Sequence, residues 1–176
     1  SARICGLEIP FDQDTIKRAC IDVLEANELR DGYLRPLAYQ DDGKLGGLGS
    51  SPPVHVAVAA QNWGAYLGEE GLRQGIRVHL SSYRRAPPGS GLSKAKVCGQ
   101  YVTSTLAKRN ALRDGYDEAL LCDEAGYVAE GSGENLFVLR DGVLGTPPAS
   151  APILPGLTRD TVLHLARQLG AGAGIT

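Results

Sequence analysis

The sequence predicts an α+β fold, on three observations. Apolar residues recur at helical spacing between Asp12 and Leu29. Short apolar runs bounded by Gly, Pro and Asp read as strands, above all between Glu118 and Thr146. Helices and strands do not alternate strictly, which argues against a doubly wound sheet. No internal repeat is present.

In chain order, Ile16, Ala19, Cys20, Val23 and Leu24 mark the inner stripe of the first helix, with Asp12 and Asp14 as acidic cap candidates. Gly32 to Tyr39 follows as a strand with Tyr33, Arg35, Leu37 and Tyr39 on one face. Pro36 calls for an edge position or a bulge there. The Gly-, Ser- and Pro-rich stretch Asp41 to Pro53 is a loop. Val54 to Ala60 reads as a strand buried on both faces. The character changes over Gln61 to Gly71, which marks a junction, and Ile76 to Ser82 is the next strand. A Pro/Gly loop from Arg84 to Ser93 leads to a helix, Gly99 to Asp114, with Val102, Leu106 and Leu112 facing inward. Glu118 to Cys122 turns at Asp123–Gly126, and Asn135 to Arg140 turns back through Asp141-Gly142, a strong hairpin signal. After the loop Pro147 to Pro155, a last helix runs from Thr158 to Leu169, started by the threonine and ended by Gly170.

The chain has 176 residues, 43% hydrophobic and 22% charged, with a net charge of −2. This balance gives no sign of a nucleic-acid partner. No apolar run approaches the ~20 residues that span a bilayer, and the first ten residues do not read as a signal peptide. Cys5, Cys20, Cys98 and Cys122 form no CxxC pair, and His55, His79 and His164 are scattered. No metal site and a reducing cytoplasm are therefore expected. There is no methionine, and Gly170 to Thr176 lacks a closing element. Both ends are expected to be cuts in a longer protein.

Three places bear on chemistry. Leu154-Pro-Gly-Leu-Thr158 runs into a helix, where free backbone N–H groups and a hydroxyl suit a phosphate. Taken alone, Thr158 is equally an ordinary cap and Gly156 a turn residue. A lone lysine such as Lys96 is a solvated charge by default. Glu130, in Glu-Gly-Ser-Gly-Glu-Asn135, sits where glycines let a ligand approach or where strands simply bend.

Set in order, these pieces form a pattern. Lys96-Val-Cys-Gly-Gln-Tyr101, Gly115-Tyr-Asp-Glu-Ala-Leu120, Gly126-Tyr-Val-Ala-Glu-Gly-Ser-Gly-Glu-Asn-Leu-Phe137, Asp141-Gly-Val-Leu-Gly-Thr-Pro147 and Leu154-Pro-Gly-Leu-Thr-Arg-Asp160 follow one another over most of the chain. This series resembles the class IV aminotransferases, enzymes of fold type IV that use pyridoxal 5'-phosphate. Gly32-Tyr-Leu-Arg-Pro-Leu37 and Trp63-Gly-Ala-Tyr-Leu-Gly68 are similar to the substrate-side motifs of the branched-chain members. Gln100 stands where Asn is more usual, and Cys98 where a small residue, often Gly, is found.

The resemblance implies a small α/β domain over residues 1–66, a linker over 67–77 and part of a larger pseudo-barrel domain over 78–176, both domains incomplete. It implies Lys96 as the catalytic residue that carries the cofactor covalently. Glu130 would face the pyridine nitrogen, Tyr101 the ring's phenolic oxygen, and Gly156, Leu157 and Thr158 part of the phosphate. Tyr33, Arg35, Trp63 and Tyr66 would line the substrate side, with Arg35 meeting the distal carboxylate of glutamate. Core packing is the competing explanation for Trp63 and Tyr66.

A further phosphate-gripping Arg would precede Ser1, and a Thr-rich turn would follow Thr176. The implied reaction is transamination between Leu, Ile or Val and 2-oxoglutarate. The alternatives are a D-amino-acid or (R)-amine transaminase, an aminodeoxychorismate lyase, or an inactive remnant that only binds or dimerises. The family also implies a homodimer, with Leu45 and Leu48 of the long loop touching the second chain.

Overall fold

Asp12 starts the first helix in the way its carboxylate permits: Thr15 N–H donates to Asp12 Oδ1 at 2.7 Å. In the computed structural model, which describes residues 1–40, 52–64, 67–170 and, for backbone alone, 172–175, helix α1 spans Gln13–Ala26. Its half-buried stripe is Ile16, Ala19, Cys20, Val23 and Leu24, as the periodicity predicts. The helix stops three residues before Leu29 because Glu28 turns left-handed, at φ 56°, and Leu29 N–H returns to Leu24 O at 2.9 Å.

The chain divides into two units, Ser1–Glu69 and Glu70–Thr176. The stretch 67–77 expected as a linker holds helix α2, Gly68–Gln74, and the division falls inside that helix. In the first unit, β1 (Tyr33–Gln40) and β2 (Val54–Gln61) form an antiparallel pair, with α1 packed mainly on β2. The register from Tyr33↔Gln61 to Gln40↔Val54 is unbroken, so Pro36 sits opposite Val58 without a bulge. In a two-stranded sheet each strand has an open edge, and that is where Pro is tolerated. β2 is not buried on both faces. Val54, Val56, Val58 and Ala60 are half-buried while His55, Ala57 and Ala59 are exposed, since the first unit covers one face only. The loop leucines Leu45 and Leu48 lie outside the described residues.

The second unit holds two three-stranded sheets, ordered β3-β4-β5 and β6-β7-β8. β3 (Val78–Arg84) and β4 (Glu118–Cys122) are parallel and are joined across α3 (Tyr101–Arg113), while β5 (Val128–Gly131) returns antiparallel to β4. β6 (Val138–Arg140) and β7 (Val143–Thr146) form the hairpin signalled by Asp141-Gly142. Both turn residues have positive φ, 52° and 76°, as a two-residue hairpin turn of this hand requires. Helix α4 (Leu157–Gln168) then carries the chain to β8 (Gly172–Ile175), parallel to β7. The end of the chain therefore does add an element, a short strand that apolar periodicity could not reveal among glycines and alanines.

Two further expectations are corrected. The inner face of α3 is Ser104, Ala107 and Ala111, packed with Ala119, Leu121 and Tyr83. Val102 and Leu112 are 61% and 55% exposed, and Leu106 is exposed as well. Only small side chains let α3 lie this close to β3 and β4, and the larger ones turn away. At α4, the cap is Gly156, with extended backbone and no side-chain cap bond, and Thr158 lies inside the first turn. No helix among the described residues is long and apolar enough to cross a membrane.

Candidate active site

Lys96 sits between β3 and α3, in the turn that leads into the short 3-10 helix Cys98–Gln100. Its Nζ donates to Tyr101 Oη at 2.8 Å and stands 5.2 Å from that ring's centroid. Tyr101 is the first residue of α3, so the helix start fixes the phenol beside the amine.

Glu130 comes from β5 and is buried. Its Oε1 meets Arg85 Nε at 2.9 Å, with both side chains less than a tenth exposed. Its Oε2 accepts the Leu154 N–H at 3.0 Å. Burial pushes the Glu130 carboxyl above its ordinary range, and the Arg85 charge, the Leu154 N–H and Lys94 pull against that rise. Lys96, Tyr101, Glu130, Arg85, Asn135 and Leu154 all line one open cavity.

The segment that leads to Leu154, at the edge of this cavity, is held by side chains. Lys94 Nζ donates to Ala149 O at 2.6 Å, Ala151 O at 2.5 Å and Ile153 O at 3.2 Å. Burial lowers the pKa of Lys94, the nearby Arg159 and Arg85 add to the fall, and Glu130 opposes it. Arg85 Nε also donates to Pro152 O at 3.3 Å, and Asn135 Nδ2 to Leu154 O at 2.8 Å. Two residues further on, Gly156 begins α4. Arg159 of that helix is buried against Thr146 Oγ1 and Pro147 O, at 3.2 and 2.8 Å, which anchors the first turn to β7.

Beyond Glu130, the turn Gly131–Glu134 is tightly closed. Gly131 N–H donates to Glu134 O at 2.8 Å, and a Cβ at Gly131 would lie 2.6 Å from Glu134 Oε2. A larger residue here would have to move the Glu134 carboxylate.

The structure thus brings Lys96, Tyr101 and Glu130 to one cavity. It keeps Gly156, Leu157 and Thr158 off the lining, joined to it through Leu154. Tyr33, Arg35 and Trp63 gather in the first unit: the Tyr33 and Trp63 rings are 4.8 Å apart, and the Arg35 guanidinium is 5.4 Å from the Tyr33 centroid. All three are exposed in this chain. Tyr66 lies outside the described residues. Reading the sequence missed Arg85, Lys94 and Asn135. Charged and amide residues in loops are taken as solvated, and the one signal was their position beside the motifs that hold Lys96 and Glu130.

These residues fit pyridoxal phosphate. A carboxylate has about four acceptor positions, so Glu130 keeps capacity for a ring N–H beside its Arg85 and Leu154 contacts. An amine and a phenol share the cavity, and the first-turn N–H groups of α4 have no intrahelical acceptor. Among the described residues no cluster of His, Cys, Asp or Glu could hold a metal ion.

Comparison with known proteins agrees with this chemistry. The chain is 44% identical over 170 residues to a branched-chain-amino-acid aminotransferase of Pseudomonas aeruginosa, covering 97% of this chain and 55% of that protein. It is 44% identical over 174 residues to the Escherichia coli K12 protein of the same name, covering the same shares of each chain. Its fold matches the crystal structure of the Escherichia coli enzyme with a TM-score of 0.92 at 42% identity, covering 99% of this chain and 58% of that one. The branched-chain amino acid aminotransferase of Thermobaculum terrenum, solved in its PLP-form, matches at 0.87 and 32% identity, covering 99% and 56%. The chain spans about half the length of the curated relatives it matches. A model of the amino-transferase class IV family matches residues 1–174, and the chain belongs to that family.

Proposed function

We propose that this chain forms the reactive centre of a pyridoxal-phosphate-dependent transaminase that exchanges the amino group between a branched-chain L-amino acid and 2-oxoglutarate. The observation that carries this reading is the convergence of Lys96, Tyr101 and Glu130 on one cavity. Its sequence support is the 44% identity to proteins named branched-chain-amino-acid aminotransferase.

When bound, the cofactor supplies an electron sink next to the amino acid's α-carbon. Lys96 would hold it covalently, and its freed Nζ would take the proton from the substrate α-carbon and deliver it to the cofactor carbon that bears the amino nitrogen. Tyr101, whose Oη already accepts from Lys96 Nζ, orients that amine and faces the ring oxygen. Glu130 holds a proton on the ring nitrogen, a task that needs its ionised form and so depends on Arg85. The α4 start from Gly156 to Thr158 holds phosphate oxygens.

Tyr33, Arg35, Trp63 and Tyr66 form the substrate side, with Arg35 for the second carboxylate of glutamate. The domain division is 1–66, 67–77 and 78–176, supported by the separation of the two units near Glu69. The working form is a cytoplasmic homodimer in branched-chain amino acid biosynthesis.

The test is spectroscopic. Adding pyridoxal phosphate to the purified protein should give a visible absorbance band that decays on adding leucine. No band, or a band indifferent to leucine but bleached by a D-amino acid, defeats the proposal.

A further inference from the structure

Leu154 is gripped at both of its backbone polar groups by one short stretch of chain. Its N–H donates to Glu130 Oε2 at 3.0 Å, and its carbonyl accepts from Asn135 Nδ2 at 2.8 Å. The other end of the Asn135 amide faces Gly156. A Cβ at 156 would collide with Asn135 Oδ1 and lie 3.3 Å from its Cγ. Gly156 has φ −69° and ψ 143°, a conformation open to any residue. A side chain at 156 would therefore have to push the Asn135 amide off its bond to the Leu154 carbonyl, although the backbone at 156 itself accepts any residue. Asn135 spans the gap with both ends of one amide, bonding the residue two before the α4 cap and filling the space at the cap itself.

This arrangement matters because pyridoxal phosphate carries its phosphate on a short methylene–oxygen arm of a rigid ring, so the span from ring nitrogen to phosphate is confined to a narrow range. A protein that grips both ends must fix the same spacing in its own backbone. The shortest path between the two grips runs from Glu130 through its bond to Leu154 and on to Gly156. Lys94 and Arg85 fasten the chain up to Ile153, Arg159 ties the first turn of α4 to Thr146 and Pro147, and between these two anchors Asn135 holds the Leu154 carbonyl.

We infer that Asn135 is a positioning residue that sets the phosphate-binding turn Gly156–Thr158 in register with the Glu130 carboxylate. The inference rests on the cofactor site proposed above.

The test compares pyridoxal phosphate with pyridoxal, which lacks the phosphate, by fluorescence titration of the protein and its variants. Asn135→Asp is nearly isosteric and keeps an oxygen at Gly156, but turns an acceptor toward the Leu154 carbonyl. Asn135→Ala removes both contacts. Each should weaken pyridoxal phosphate by about tenfold, the worth of one good hydrogen bond, and leave pyridoxal affinity unchanged. Gly156→Ala should be damaging in the native background and much less so beside Asn135→Ala, because the oxygen it strikes is gone. Circular dichroism identifies a variant that fails to fold, and Asn135→Ser, which loses the bond to Leu154 without adding charge beside the phosphate turn, then decides. Equal losses for both ligands would mean that Asn135 serves the cavity generally, and unchanged pyridoxal phosphate affinity would mean that it does not set the turn. Either result overturns the inference while the cofactor site stands. Native protein that binds neither ligand removes the site and the inference together.

Discussion

Arg85 and Glu130 form an ion pair at 2.9 Å between side chains that are 8% and 9% exposed. A pair this buried contributes little net stability as a whole, but losing one member is costly because the other is left charged and dry. The chain thus places a strong constraint under the carboxylate proposed above to meet the cofactor's ring nitrogen.

Arg85→Met is expected to destabilise the protein by about 3 kcal/mol and to raise the Glu130 pKa further. Burial already pushes that carboxyl up, and Arg85 is the largest influence holding it down. An acid with a raised folded pKa favours the fold when protonated, so the stability it adds is lost as pH rises through that value. The variant should therefore be relatively most stable in acid. Its single-turnover rate with leucine should need a higher pH than the native rate, since only ionised Glu130 holds the ring proton. Stopped-flow rates and melting temperatures against pH check both statements. An unshifted rate profile would show that Arg85 is a packing residue only.

Glu130→Gln should lower the melting temperature, because Arg85 is left buried without its counter-charge, but retain cofactor through Lys96 and slow α-proton removal by about 100-fold or more. A neutral amide cannot keep the ring nitrogen charged. Single-turnover absorbance changes with leucine measure this, and native-like rates would rule the role out.

Two lysines compete for covalent attachment within three positions. Lys94 Nζ is bonded to three backbone carbonyls, whereas Lys96 Nζ lies against the Tyr101 phenol at the cavity. Borohydride reduction of the cofactor-loaded protein followed by peptide mapping should label Lys96. Lys96→Ala should lose the visible band and remain folded. Label on Lys94 or Lys108 contradicts the assignment.

A second buried pair predicts acid sensitivity. Lys108 Nζ donates to Glu118 Oε2 at 2.5 Å. Burial would push the Glu118 carboxyl up, but hydrogen bonds from Lys108, Ser132 and the Ala119 N–H, with the Lys108 charge, outweigh it and hold the pKa below its ordinary value. Its contribution is present above the ordinary carboxylate range and is lost as pH falls through the lowered pKa. Glu134 nearby is shifted the other way, by burial and then by the Glu118 charge, so what it adds is lost as pH rises through its own raised pKa. Glu118→Gln should lower the melting temperature at neutral pH, with the gap to the native protein closing in acid. A gap that stays constant with pH contradicts the ionic account.

The outer form of this chain is legible in its residues because local chemistry dictates it. Asp12 caps α1, Asp141-Gly142 turns the β6–β7 hairpin, and Gly170 closes α4 with φ 70°. Burial is less legible because it depends on what packs opposite. The inner face of α3 belongs to Ser104, Ala107 and Ala111 and not to its larger apolar residues, since the adjoining sheet leaves room for nothing longer. Lys96, Tyr101 and Glu130 stand in ordered motifs and could be named. Arg85 and Lys94 could not, and Asn135 stood in a motif without a role, because their work is done on carbonyls and a carboxylate distant in sequence. β8 escaped because glycines carry no periodic signal.

Substrate choice supplies the last prediction. Arg35 lies on the exposed face of β1 with its guanidinium 5.4 Å from the Tyr33 ring, and Trp63 stands 4.8 Å from that same ring. The aromatic pair offers an apolar wall for a branched side chain, and the cation offers a partner for a second carboxylate. One surface can then accept both leucine and glutamate if the two use different parts of it. A guanidinium–carboxylate contact is charge-assisted and directional, while leucine gains nothing from the charge. Arg35→Ala should therefore reduce kcat/KM for the glutamate half-reaction by about tenfold or more and leave leucine close to native. Arg35→Lys should restore part of the loss, since the charge returns without the bidentate fork. The two half-reactions can be followed separately by absorbance in single turnovers. Equal losses for glutamate and leucine would assign Arg35 to the α-carboxylate that both share, or to support of the Tyr33 ring.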